Sequence, residues 1–177
     1  MNYLKLLFVR LLSLGVLIIV VFLGLGIFSS SSANAAIRKL QESPGQIVYQ
    51  SRQTLRDQHG KNWQAIAFKR TYADSRSSFY LRLVAFPGVA EIDHTKALKL
   101  TDSLGKTLTA TNTSSQIFTD GAKPEPNVGQ YDLQPILQQL QPAIPLRLTI
   151  QTTAPKSVVL GVPPYLVQEW QTVFTQK

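Results

Sequence analysis

Apolar positions follow three different rhythms along this chain. Residues 11–28 form one uncharged, almost wholly apolar run from Leu11 to Phe28. From Ile47 onward the rhythm changes to period two, the mark of half-buried strands. Ile47, Tyr49 and Leu55 fall on one face of a first strand, with Arg52, Thr54 and Arg56 on the other. Asp57-Gln58-His59-Gly60 reads as a turn into a second strand, Trp63 to about Tyr72, which is apolar on both faces and therefore expected to be central. A third strand, Phe79 to Phe86, ends at Pro87-Gly88. Leu98 and Leu100, a turn at Asp102–Gly105 and Thr107–Thr111 give a second hairpin, and Leu146–Gln151 and Ser157–Val162 supply two more strands.

Two segments carry the helical rhythm. Leu133, Ile136, Leu137 and Leu140 recur at helical spacing behind a capping Asp132, with Pro135 in the first turn and Pro142 as a stop, which predicts a short helix near 132–140. Pro163-Pro164 opens another at 164–174, striped by Leu166, Val167, Trp170, Val173 and Phe174. The polar stretch 112–130 holds Gly121, Pro124, Pro126 and Gly129 and reads as a long surface loop. Together these features predict a mainly β domain: an antiparallel β-sandwich or half-open barrel of about seven strands with two short helices.

The first rhythm changes the address. Lys5 and Arg10 precede the apolar run, Ser29–Ser32 end it, and Ala33-Asn34-Ala35 offers the small residues that a signal peptidase reads. Residues 1–35 are therefore expected to be a signal peptide. The run is long for that role, so a retained membrane anchor over 11–28 is the alternative. Either way residues 36–177 are expected to be exported as a single domain, since the basic residues would hold the other end inside.

Of the 18 lysines and arginines, Lys5 and Arg10 belong to the leader, which leaves 16 against 10 acids and a net charge of +6 on the domain. An exported chain seldom meets nucleic acid, so no nucleic-acid partner is expected. An acidic protein face or an anionic membrane surface fits the balance better. The absence of cysteine excludes disulfides, thiolate catalysis and cysteine-ligated zinc.

Candidate chemistry is sparse. Glu91, Asp93 and His94, with His59 elsewhere, are too few and too scattered to imply a metal, and no cofactor motif occurs. The acids form no visible pair for hydrolysis, no G-x-S-x-G elbow is present, and Gly105-Lys106-Thr107 lacks the first glycine of a phosphate loop because Leu100 stands there. No catalytic residue is assigned. The alternative to a binding module is a small exported hydrolase near the 112–130 loop, drawing on Asp57, His59, Glu91 or His94. The most structured surface lies on the first three strands. If Ile47, Tyr49, Ile66, Phe68, Phe79 and Leu81 point inward, alternation puts Arg52, Arg56, Trp63, Lys69, Tyr80 and Arg82 on one outer face, an interface-like mixture of cations and aromatics.

Several stretches together resemble an uncharacterised, domain-of-unknown-function family of exported cyanobacterial proteins. They are Pro44-Gly45-Gln46 with Val48–Ser51, Leu55-Arg56-Asp57, Trp63-Gln64-Ala65 with Phe68-Lys69-Arg70, Leu81–Val84 with Phe86-Pro87-Gly88, Asn127–Leu133, and Val162-Pro163-Pro164 with Val167–Trp170. The resemblance implies an address in the periplasm or thylakoid lumen and brings no activity with it. The expectation is an exported, noncatalytic binding or accessory module that engages an acidic protein or membrane surface through the basic aromatic face.

Overall fold

The computed structural model describes Tyr3, residues 37–118 and residues 122–177. Apart from Tyr3, the expected leader, its apolar run 11–28 and its Ala33-Asn34-Ala35 site lie outside the described residues. The chain divides into two compact units, Met1–Asn34 and Ala35–Lys177. Every described strand belongs to the second.

Among the described residues nine strands form one antiparallel sheet: β1 (Arg38–Ser43), β2 (Gln46–Arg56), β3 (Asn62–Thr71), β4 (Ser77–Ala85), β5 (Leu98–Asp102), β6 (Thr107–Asn112), β7 (Val128–Asp132), β8 (Leu146–Ile150) and β9 (Val158–Val162). Their order across the sheet is β1-β2-β3-β4-β7-β6-β5-β8-β9. The domain is thus mainly β, with nine strands where about seven were expected. The two extra are β1 and β7. β1 is exposed at all six positions and carries no apolar alternation, while β7 lies at the end of what reads as a polar loop.

Two hairpins are closed by the same turn. In Asp57-Gln58-His59-Gly60-Lys61, Oδ1 of Asp57 accepts from the amides of His59 and Lys61, and Gly60 adopts φ 73°. Asp102 Oδ1 likewise accepts from Leu104 and Lys106, with Gly105 at φ 88°. Aspartate suits the first position because its short side chain satisfies turn amides, and glycine the fourth because φ is positive.

The sheet coils without closing. Its core face carries Tyr49 and Leu55 of β2, Trp63, Ala65 and Ala67 of β3, and Phe79, Leu81, Leu83 and Ala85 of β4, continuous with Leu98, Leu100, Leu148, Ile150, Leu160 and Val162. The helix α1 (Pro164–Thr175) packs against β2 and β3 and adds Leu166, Val167, Trp170 and Val173 to the same core. Phe174 meets Phe79 edge-on, ring centroids 5.6 Å apart. Behind α1 the chain is tied down by two bonds, from the Tyr49 hydroxyl to the Lys177 carbonyl and from Lys69 Nζ to the Gln176 carbonyl. On the other side, the end of β2 reaches β9 through the bridge of Asp57 with Leu160. The Gln58 side chain extends that contact, donating to Ser157 O and accepting from Val159 N.

The helix expected at 132–140 is instead a single 3-10 turn, Leu137–Gln139. Asp132 is the last residue of β7 and uses its carboxylate to accept from Gln134 N. The few residues between Pro135 and Pro142 are too short a run to repay helix nucleation. Leu133, Leu137 and Leu140 are still buried, so the apolar spacing reported packing and not helix.

Gly45 closes the β1–β2 hairpin at φ 77°, and a Cβ there would stand 2.9 Å from Ala73 Cβ. Gly45→Ala is expected to cost on the order of 1–2 kcal/mol. The loss should concentrate in β1, where amide exchange of Lys39–Gln41 should quicken while that of β3 stays slow.

Candidate functional site

The face of β2, β3, β4 and β7 turned away from α1 has a small apolar cluster of its own. Val48, Ile66 and Phe68 are buried there, with Tyr80 and Val84 packed against them. Register fixes their neighbours. Arg52 lies opposite Ile66, Ile66 opposite Arg82 and Arg82 opposite Gln130, while Gln50, Phe68 and Tyr80 form the next row and Val48, Arg70 and Ser78 the one beyond.

Among the described residues no second layer of secondary structure roofs this cluster; arginine side chains do. The guanidinium carbon of Arg82 lies 5.2 Å from the Phe68 ring centroid and that of Arg70 5.6 Å from it, while Tyr80 tilts against the same ring at 5.7 Å. Cations stacked on an aromatic face gain from the ring's quadrupole while their stems cover apolar surface. Between Arg52, Arg70, Arg82 and Phe68 is a shallow hollow of about 60 Å³, bounded also by Glu42, Val48, Gln50 and Ile66.

The charges are unevenly matched. Arg70 pairs with Glu42, Nη2 to Oε2 at 2.9 Å and Nε to Oε2 at 3.0 Å. Arg82 has a neutral partner, donating from Nη2 (2.7 Å) and Nε (3.2 Å) to Gln130 Oε1. Arg52 is exposed and makes no ion pair or hydrogen bond among the described residues. Burial pushes the pKa of Arg82 down, as do the cations of Arg70 and Arg52, against the pull of Glu42. Arg82 still stays charged. It is a half-buried cation with no anion of its own.

Of the six residues expected on this face, Arg52, Arg56, Tyr80 and Arg82 are there. Trp63 and Lys69 are on the opposite one. Trp63 is fully buried in the main core, its Nε1 donating to Asp57 Oδ2, and Lys69 reaches past Phe174 to the Gln176 carbonyl. Ile66 and Phe68, expected inward, are correspondingly outward. β3 is apolar on both faces, so alternation alone left its phase open. Its outward cation is Arg70, which with Glu42 completes the site and which sequence reasoning missed.

The residues named for a hydrolase are separately engaged. Burial raises the Asp57 pKa, but the amides of Lys61 and His59 and the Trp63 indole together outweigh it and hold the carboxyl below the usual range. Glu91 accepts from Thr153 Oγ1. Bonds from Thr95 hold the Asp93 carboxyl low, and His94 Nε2 meets the Val128 carbonyl at 2.8 Å and so must carry the proton. None of Asp57, His59, Glu91 and His94 lines any of the three described cavities. Among the described residues, no three histidine, aspartate or glutamate side chains converge. Likewise, no helix among them is long and apolar enough to cross a membrane.

A family model described as a protein of unknown function, DUF3122, matches residues 35–173. The chain belongs to that family. No curated protein and no solved structure matches it. The DUF3122 match spans β1 to most of α1, so it takes in both the arginine-roofed face and the core beneath it.

Proposed function

We propose that this chain is an exported, noncatalytic binding module that docks an acidic protein surface on the outer face of β2, β3 and β4. The observation that carries the proposal is the gathering of Arg52, Arg70 and Arg82 around Phe68 with Glu42 as the one carboxylate in the hollow. Arginine forks suit carboxylates geometrically, and arginine with aromatic rings is the composition of interface centres. The group that already occupies Arg70 is a carboxylate, which favours acidic side chains over lipid phosphates as the partner chemistry. Export is supported by the order of Lys5 and Arg10, the apolar run and Ala33-Asn34-Ala35, and the family resemblance is in keeping with an address in the periplasm or thylakoid lumen. The contact of Asp57 with Leu160 supports reading the coiled sheet as a half-open barrel, with this face on its outside.

The full-length chain, held in neutral-lipid nanodiscs, can be titrated with a hexaglutamate peptide. Arg52→Glu should weaken binding about tenfold, or about 1.4 kcal/mol. Its melting temperature should not move, because an exposed charge contributes about 0–1 kcal/mol to folding. Added salt should weaken binding further. Unchanged affinity in Arg52→Glu, or capture by phosphatidylglycerol vesicles without capture of the peptide, would overturn the protein-docking reading.

A further inference from the structure

We infer that the hollow between Arg52, Arg70 and Arg82 is a carboxylate-receiving subsite that Glu42 occupies in cis, so that β1 competes with the partner's aspartate or glutamate. This rests on the docking face proposed above and adds its ligand chemistry and its regulation.

Three features carry it. The first is how Glu42 arrives. The β1–β2 register shifts between Gln41 and Ser43, leaving Glu42 without a ladder partner, and irregularities of this kind re-aim a side chain. Here the carboxylate is brought to the arginines of β3 and β4.

The second is how loosely it is held. Arg70 Nε, Arg70 Nη2 and Gln46 Nε2 all converge on Oε2, and Oε1 has no hydrogen bond among the described residues. The fork-to-fork geometry that makes arginine–carboxylate pairs strong is therefore absent. The two side chains are 22% and 41% exposed, so water competes for the pair. β1 itself is exposed throughout and, among the described residues, is bonded on one side only, to β2.

The third is what Glu42 leaves undone. One carboxylate stands against three guanidinium groups, and neither Arg52 nor Arg82 is ion-paired among the described residues. An incoming carboxylate able to reach Arg52 and Arg82 as well as Arg70 gains contacts that Glu42 does not make. Displacing Glu42 would give up a solvent-screened pair and one exposed hydrogen bond from Gln46.

The experiment uses the full-length chain and the same hexaglutamate titration. Glu42→Gln should raise affinity about fivefold, equivalent to about 1 kcal/mol. Glu42→Asp, which keeps the charge but withdraws the carboxylate by one methylene, should raise it less but measurably. Glu91→Gln makes the same change in net charge away from the hollow and should leave affinity within about twofold. If neither Glu42 variant binds more tightly while Arg52→Glu still weakens binding, the docking face stands and the subsite inference is wrong. If Glu91→Gln strengthens binding as much as Glu42→Gln does, only overall charge is at work and the inference is likewise overturned. If Arg52→Glu changes nothing, the docking reading itself fails and takes this one with it.

Discussion

Replacing Trp170 by alanine is expected to lower the unfolding free energy by about 3–5 kcal/mol, the range for emptying a large aromatic site in a core. Trp170 is completely buried, on the stripe of α1 that packs against β2 and β3. The domain has no disulfide to offset such a loss. At about 3 °C per kcal/mol for a domain of this size, the melting temperature should fall by roughly 10–15 °C. Trp170→Phe should be far milder. It keeps most of the ring volume and removes an indole N–H that has no hydrogen-bond partner among the described residues. If thermal melts of the alanine variant match those of the parent, α1 does not hold the core together and the packing account is wrong.

Asp57→Asn is expected to cost about 2–3 kcal/mol near neutral pH. Oδ1 could still accept from the His59 and Lys61 amides, but an amide nitrogen in place of Oδ2 would face the Trp63 indole N–H, 3.2 Å away in the native contact. Two donors would then oppose each other, and the indole is buried where no water can replace the lost acceptor. The same substitution has a pH signature. The Asp57 carboxyl is depressed below its ordinary 3.8 in the folded chain. Its contribution is therefore fully present above that value and lost as pH falls through the lower folded value. As pH falls below about 4 the parent should lose stability more steeply than the variant, and the two curves should converge. Equal acid slopes in denaturant titrations over that range would rule Asp57 out as a source of acid sensitivity.

Much of the β architecture was legible because period-two alternation is a direct record of burial. Leu98, Leu100, Leu146, Leu148 and Ile150 alternate cleanly and are core residues in the structure. The alternation failed where burial is not one-sided. β3 presents Trp63, Ala65 and Ala67 to one core and Ile66 and Phe68 to the other, so either phase fits it. The turn held the missing information. An Asp-x-x-Gly-Lys hairpin sets Arg56 opposite Asn62, and counting back along both strands puts Leu55 opposite Trp63 and Arg52 opposite Ile66. Leu55 is inward, so Trp63 had to be inward too, and Arg70 outward. β1 left no such trace, because an exposed edge strand has nothing to bury. Glu42 became visible only when the hairpin brought it back over Arg70.

The order of the strands also has a consequence for how the chain is made. β2, β3 and β4 follow one another in sequence and pair as neighbours, so this meander can assemble as soon as residue 85 is available. The partner for the far side of β4 is β7, which begins at Val128. During synthesis or translocation, while residues 86–127 are still arriving, β4 exposes an open row of amides and carbonyls above Phe79, Leu81 and Leu83. That is the condition under which nascent β proteins cross-pair with one another. A pause in elongation or a slow export step within 86–127 would lengthen that vulnerable interval. Changes that weaken β7 should therefore show up first as inclusion bodies or as a demand for chaperones, before they register as a lower melting point in the molecules that do mature.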